Sequence, residues 1–211
     1  MSVYVPRHFA MADQDAINRV VGDFGFATLI TSIAGDVQVS HVPVLLEQCD
    51  AATGGMIIGH VAAANPHSSS LSEGAGLLVF QGPDDYVSPS WYGEPAAAVP
   101  TWNYVAVHVH GQLERIDDVT GKRAIVDALS ARHEAKFAKP WTSDKMAPAL
   151  LERMLGAIVG FRMRIVRVDA KFKLGQNRSA GDRAGVIAGL DALETPESGA
   201  LASWMRRYAG Q

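Results

Sequence analysis

Residues 101–111 read TWNYVAVHVHG. Val105, Val107 and Val109 alternate with Ala106, His108 and His110, the period-two pattern of a strand with one buried face. A buried strand needs no tryptophan, asparagine and tyrosine at its entrance, and burial alone does not place two histidines on one face. Three readings are open here: a metal site, the wall of a ligand pocket, or a well-packed strand.

Outward from this strand the chain reads as β in the middle and helical toward its ends. Strands are predicted at 27–34, 37–46, 56–63 and 76–82, with turns at Gly35-Asp36 and Thr53-Gly54-Gly55. Asn65-Pro66 ends the third strand and opens a short helix to Leu71. Gln112–Ile116 continue the fifth strand, and a sixth covers 157–168. Asp13 caps a helix to Phe24, and further helices are predicted at 118–135 and 147–155. Ser179 with Asp182 is a capping pair for a helix to Leu190, and Thr195-Pro196 opens a last one carrying Leu201, Trp204 and Met205. Residues 83–100, PDDYVSPSWYGEPAAAVP, are an 18-residue connection without a period. Its Tyr86, Trp91 and Tyr92 point to packing rather than disorder. Six strands with turn-length or helical connections predict an α+β, mainly β, small antiparallel barrel with flanking helices. We expect a single domain over 1–211 with a helical segment at 179–209.

Bulk properties narrow the function. At 211 residues with 48% hydrophobic residues, the chain can bury one sizeable core. A net charge of −3 gives no global field favouring nucleic acid or anionic membrane. Cys49 is the sole cysteine, which excludes an internal disulfide and a multi-cysteine zinc site, and no neighbouring charge activates it. No apolar run reaches the roughly 18 residues of a membrane span, and the first residues lack a signal-peptide apolar region. The expectation is a cytoplasmic protein that does not enter membranes.

His108 and His110 could chelate a metal with His41 or His60 as third ligand. No carboxylate or cysteine accompanies them, so local hydrogen bonding is the preferred reading and no metal is expected. KFKLGQNRS at 171–179 carries more. Lys171 and Lys173 share one face of an extended segment while Phe172 and Leu174 take the other. Gln176, Asn177 and Arg178 add amide and guanidinium donors just before a helix start. Such a set suits a phosphate, and it suits a solvated basic turn equally well.

YVPRHF (4–9), GHVAAANPH (59–67), VFQGPDDYVSPSWY (79–92), VPTWNYVAVHVHG (99–111), IVGFRMRI (158–165) and KFKLGQNRSAGDRAGVIAGL (171–190) follow one another along almost the whole chain. In this order they resemble the PaiB-type FMN-binding negative transcriptional regulators. The resemblance implies the split β-barrel of FMN-binding proteins, related in fold to pyridoxamine phosphate oxidase, with FMN at a homodimer interface. The family's usual K-L-S-Q-N reads Lys173-Leu174-Gly175-Gln176-Asn177 here, which removes a hydroxyl near the expected phosphate. By position, the resemblance implies flavin contacts from Ser40, His41 and Val42 on the second strand. It implies others from Gly59 and His60 on the third, and from Asn65 beyond it. Lys173, Gln176 and Asn177 would come from the KFKLGQN segment. Trp102 and Asn103 would flank the ring and bond its pyrimidine edge.

Function stays more open than fold. The resemblance implies a repressor of transcription. An FMN-dependent oxidoreductase acting on a small molecule is the alternative, and a non-catalytic flavin or haem holder is a third reading. Direct DNA binding has thin support, because Arg206-Arg207 and the arginines of the sixth strand form no basic stripe. No proton donor, nucleophile or nicotinamide site stands out for an enzyme.

Overall fold

The computed structural model describes residues 3–33, 35–47, 55–72 and 74–210. Its strands are β1 (Phe26–Ile33), β2 (Asp36–Glu47), β3 (Met56–Ala62), β4 (Ala75–Val87), β5 (Thr101–Ile116) and β6 (Ile158–Lys173). Its helices are α1 (Gln14–Asp23), α2 (Val119–Glu134), α3 (Pro148–Gly156), α4 (Ala180–Asp191) and α5 (Pro196–Tyr208). The strands hydrogen-bond in the order β1-β2-β3-β6-β5-β4, and β1 pairs back onto β4 to close the ring. The antiparallel six-stranded barrel expected from the sequence is therefore the fold.

The hairpin between β1 and β2 sets the first register: Thr28 faces His41 and Ile30 faces Val39. Gly35, at φ +94°, supplies the left-handed turn residue that a side chain would strain. On β2 the odd and even positions then part. Ser40, Val42 and Val44 are buried, whereas Val37, Val39 and His41 are exposed. On β3, Gly59 lies opposite Phe161 of β6, and a Cβ there would stand 2.7 Å from the phenyl ring. The ring occupies the space of the missing side chain, so the glycine is a packing requirement.

Two expectations about extent are corrected. Residues 83–87, read as the start of an irregular loop, continue β4, and only short 3-10 turns at Pro89–Trp91 and Pro95–Ala97 follow. The last strand runs to Lys173, five residues past the predicted end at Val168. In both places pairing inside a closed sheet overrides weak local preference. The turn predicted at Thr53-Gly54-Gly55 and the sole cysteine, Cys49, lie outside the described residues except for Gly55.

The chain divides into two compact units, with the boundaries inside α1, β4, β5 and β6. One comprises residues 21–80 and 108–168. Its buried side chains include Leu29, Ile57, Leu78, Phe80, Phe161 and Met163. A satellite cluster of Ile58, Ile116, Ile125 and Leu129 seats α2 on the sheet. The other unit comprises 1–20, 81–107 and 169–211. There Phe172 meets Trp204 and Tyr208 edge-on, with ring centroids 5.6 and 5.5 Å away, which docks α5. Arg206 pairs with Asp191, which ties α5 to α4. The caps expected from sequence are present: Ser179 Oγ accepts from the Asp182 amide, and Thr195 Oγ1 from that of Ser198.

Candidate functional site

The candidate residues fall into two sets, one in each unit. In the unit holding β2 and β3, the strand period separates neighbours. Ser40 and Val42 are buried, His41 is exposed, and no three consecutive side chains can share one face. His41 accompanies Thr28, with Oγ1 and Nδ1 3.1 Å apart, and stacks on the exposed Phe26 ring. Val42 is a core residue. His60 has a buried Nδ1 with no hydrogen-bond partner among the described residues, and burial lowers its pKa from the ordinary 6.5.

Ser40 and Asn65 are brought together, but through a residue that sequence reasoning passed over. The buried His67 links them. The proton positions follow from counting donors. Ser70 Oγ spends its single proton on the His67 carbonyl at 2.7 Å, so it accepts from Thr31 Oγ1 at 2.9 Å. Thr31 must then accept from His67 Nε2 at 3.0 Å, which leaves Nδ1 to accept from Ser40 Oγ at 2.9 Å. Asn65 Nδ2 donates to Ser40 Oγ at 3.0 Å, and Asn65 Oδ1 takes the His67 amide. The set is closed and requires a neutral, Nε2-protonated imidazole. Burial favours the same form by lowering the His67 pKa. The GHVAAANPH segment contained this histidine, but no local spacing pairs it with Thr31, 36 residues earlier.

His108 and His110 stand on β5. Arg167 Nη2 lies 2.9 Å from His110 Nε2 and can only donate, so that nitrogen is unprotonated. No group of three or more His, Cys, Asp or Glu is arranged for a metal among the described residues.

The second set surrounds the end of β6. Lys173 Nζ donates to Thr101 Oγ1 at the mouth of β5. Its pKa is lowered from the ordinary 10.5, first by desolvation and then by the charges of Lys171 and Arg178. No carboxylate is among the groups that act on it. Lys171 is occupied differently: its Nζ donates to the Tyr4 carbonyl and lies 5.4 and 5.3 Å from the Tyr4 and Tyr104 rings. Gln176 folds onto its own backbone, donating to the Phe172 carbonyl at 2.7 Å and accepting from the Leu174 amide at 2.9 Å. Gly175, at φ +82°, closes that turn, with the Arg178 amide donating back to its carbonyl at 2.9 Å. Asn177 is exposed.

At the start of β5 the same alternation acts. Trp102 is exposed, with Tyr86 edge-on at 6.4 Å, while Asn103 is buried and directs Nδ2 at Met205 Sδ, 3.5 Å away. Asn103 thus contacts α5. A cavity of about 320 Å³ adjoins the N-terminus of α4, lined by Tyr92, Gly93, Glu94, Arg178 and Asp182 among others.

Comparison with known proteins bears on both sets. A family model described as "Putative FMN-binding domain" matches residues 3–167. The chain belongs to this FMN-binding family. It is 33% identical over 207 residues to the protease synthase and sporulation protein PAI 2 of Bacillus subtilis, covering 96% of each chain. The PaiB-type resemblance read from the motifs is therefore confirmed. Among solved structures, it is similar to an FAD and heme binding protein from Mycobacterium smegmatis. That match has a TM-score of 0.56 and 16% identity, covering 82% of this chain and 78% of the other. A flavocytochrome from Azotobacter vinelandii matches with a TM-score of 0.54 and 18% identity, covering 86% and 78%. These two establish the fold alone.

The cofactor of the family, FMN, combines a flat aromatic ring with a phosphate, and the residues of the second set fit both parts. Lys173 and Arg178 are cations with no carboxylate acting on Lys173, which suits an oxyanion. The exposed Trp102 indole beside Tyr86 suits a flat ring. No helix among the described residues is long and apolar enough to cross a membrane.

Proposed function

We propose that the protein is an FMN-binding negative regulator of transcription of the PaiB type, with the flavin phosphate held by Lys173. The observation that carries the flavin part is the half-buried Lys173 ammonium, pressed by two other cations and by no anion. Charge left uncompensated in a partly desolvated position is stabilised by an anionic ligand, and each charge-assisted bond contributes roughly 1.5–3 kcal/mol. Thr101 fixes the lysine head, and Trp102 offers its exposed face to the ring. Bound FMN supplies a redox-active isoalloxazine; the chain's own residues supply its charge, orientation and cover.

The regulatory part rests on the whole-chain likeness to PaiB-type proteins and on the relative named for sporulation. A cytoplasmic site of action goes with that role. Arg206 is already paired with Asp191, so of the Arg206-Arg207 pair it offers DNA little free charge. A homodimer is supported by the outward apolar face of β1 and β2, where Phe26, Val37 and Val39 are all more than half exposed.

The test is a flavin titration followed by absorption, beside a gel shift on upstream DNA at stated salt with and without FMN. Saturable FMN binding and a flavin-dependent shift are expected. Absence of binding removes the flavin reading. FMN binding with NAD(P)H oxidation and no shift would favour the oxidoreductase instead.

A further inference from the structure

We infer that Arg178 is the second cation of the phosphate subsite and that Tyr92 is the residue that positions it. This rests on the phosphate reading of Lys173 and extends it to residues outside the KFKLGQN core. Lys171, the sequence's natural choice beside Lys173, is already held by the Tyr4 carbonyl and by the Tyr4 and Tyr104 rings. Arg178 is held differently. Its guanidinium carbon lies 4.7 Å from the centre of the Tyr92 ring, a cation–π contact that consumes no hydrogen-bond acceptor. Among the described residues its side chain makes no hydrogen bond or ion pair, and it lines the cavity beside α4. Asp182 lines the same cavity; its carboxylate takes the Gly93 amide at 3.1 Å and the Ser179 hydroxyl at 2.9 Å, and these bonds, with a smaller contribution from the Arg178 charge, lower its pKa. Glu94 is the remaining acid of the cavity wall, and it is exposed.

Tyr92 is itself immobilised by its neighbours. Trp91 lies in a groove of α4 that only glycines permit. A Cβ at Gly189 would stand 2.4 Å from the indole, and one at Gly185 would stand 2.1 Å from the Trp91 carbonyl. With the Gly93–Asp182 bond, this clamps residues 91–93 to α4 on both sides of Tyr92. The 88–98 segment is thus a template against which the guanidinium is set, with its fork free for a planar pair of phosphate oxygens.

The test compares FMN with riboflavin, which lacks the phosphate, in Tyr92→Leu, Tyr92→Phe, Arg178→Lys and Lys173→Met. Tyr92→Leu and Arg178→Lys should each lower FMN affinity at least threefold with riboflavin affinity unchanged, while Tyr92→Phe, which keeps the ring, behaves as wild type. If Tyr92→Leu keeps the wild-type FMN-to-riboflavin ratio while Lys173→Met collapses it, the phosphate reading stands and this inference falls. A Tyr92→Leu protein that loses both flavins equally, with a lower apo melting temperature, makes Tyr92 structural and also overturns it. Should Tyr92→Leu not fold, Arg178→Lys decides: an unchanged ratio there overturns the inference. A wild-type ratio in Lys173→Met removes the phosphate reading itself.

Discussion

At Lys173 the ammonium keeps two protons to donate after bonding Thr101, in surroundings that already disfavour its charge. Lys173→Met should therefore lower FMN affinity about 10- to 100-fold, the equivalent of roughly 1.5–3 kcal/mol, and leave riboflavin nearly untouched. Because its pKa in the free protein is lowered from 10.5, the advantage of FMN over riboflavin should begin to decline with rising pH before 10.5 is reached. Paired titrations across the alkaline range check both statements. His67 gives the opposite dependence. Folded, it is held neutral; unfolded, it titrates near the ordinary 6.5. The unfolded chain then binds protons that the folded one refuses, so this stability is complete above about pH 6.5 and is lost as pH falls below it. His60 acts in the same direction. His67→Gln should cost about 1–3 kcal/mol at neutral pH by stranding Thr31 and Ser40, and should flatten part of the acid-side loss. Urea midpoints at pH 7.5 and 5.5 decide it.

Among the elements, α4 and the 88–98 segment make the sharpest case. Alanine normally exceeds glycine in a helix by about 1 kcal/mol, yet here an added Cβ meets the Trp91 indole. Overpacking costs roughly 1–3 kcal/mol, so Gly189→Ala should destabilise the wild-type protein. In a Trp91→Ala background the clash is gone and the same substitution should stabilise. This reversal of sign, read from urea midpoints of the four proteins, tests the packing independently of flavin; the same sign in both backgrounds would refute it. The packing expected of Trp91 and Tyr92 from the sequence takes place within their own chain. Tyr92 is buried and Trp91 packs on α4 of its own chain, so they are spent within the protomer.

On the scale of the whole molecule, the case for a dimer rests on the outward face of β1 and β2. There Phe26 and Val39 stand exposed on a regular sheet. Wild-type protein with FMN should scatter light as a dimer at micromolar concentration, and Phe26→Asp with Val39→Asp should scatter as a monomer while melting cooperatively. A monomeric wild type ends the proposal. The sequence by itself determined which strands and helices form, their caps and the Gly35 turn, because these depend on periodicity and on donors within a few residues; how far β4 and β6 extend was left to sheet pairing. It also carried the family, through motifs spread over nearly the whole chain. Where those motifs place their side chains was decided only by the tertiary structure. Ser40 and His41, or Trp102 and Asn103, are neighbours in sequence and face opposite sides of a strand. Lys173 finds Thr101 across 72 residues, and His67 finds Thr31 across 36, because tertiary packing brings together what no local pattern relates.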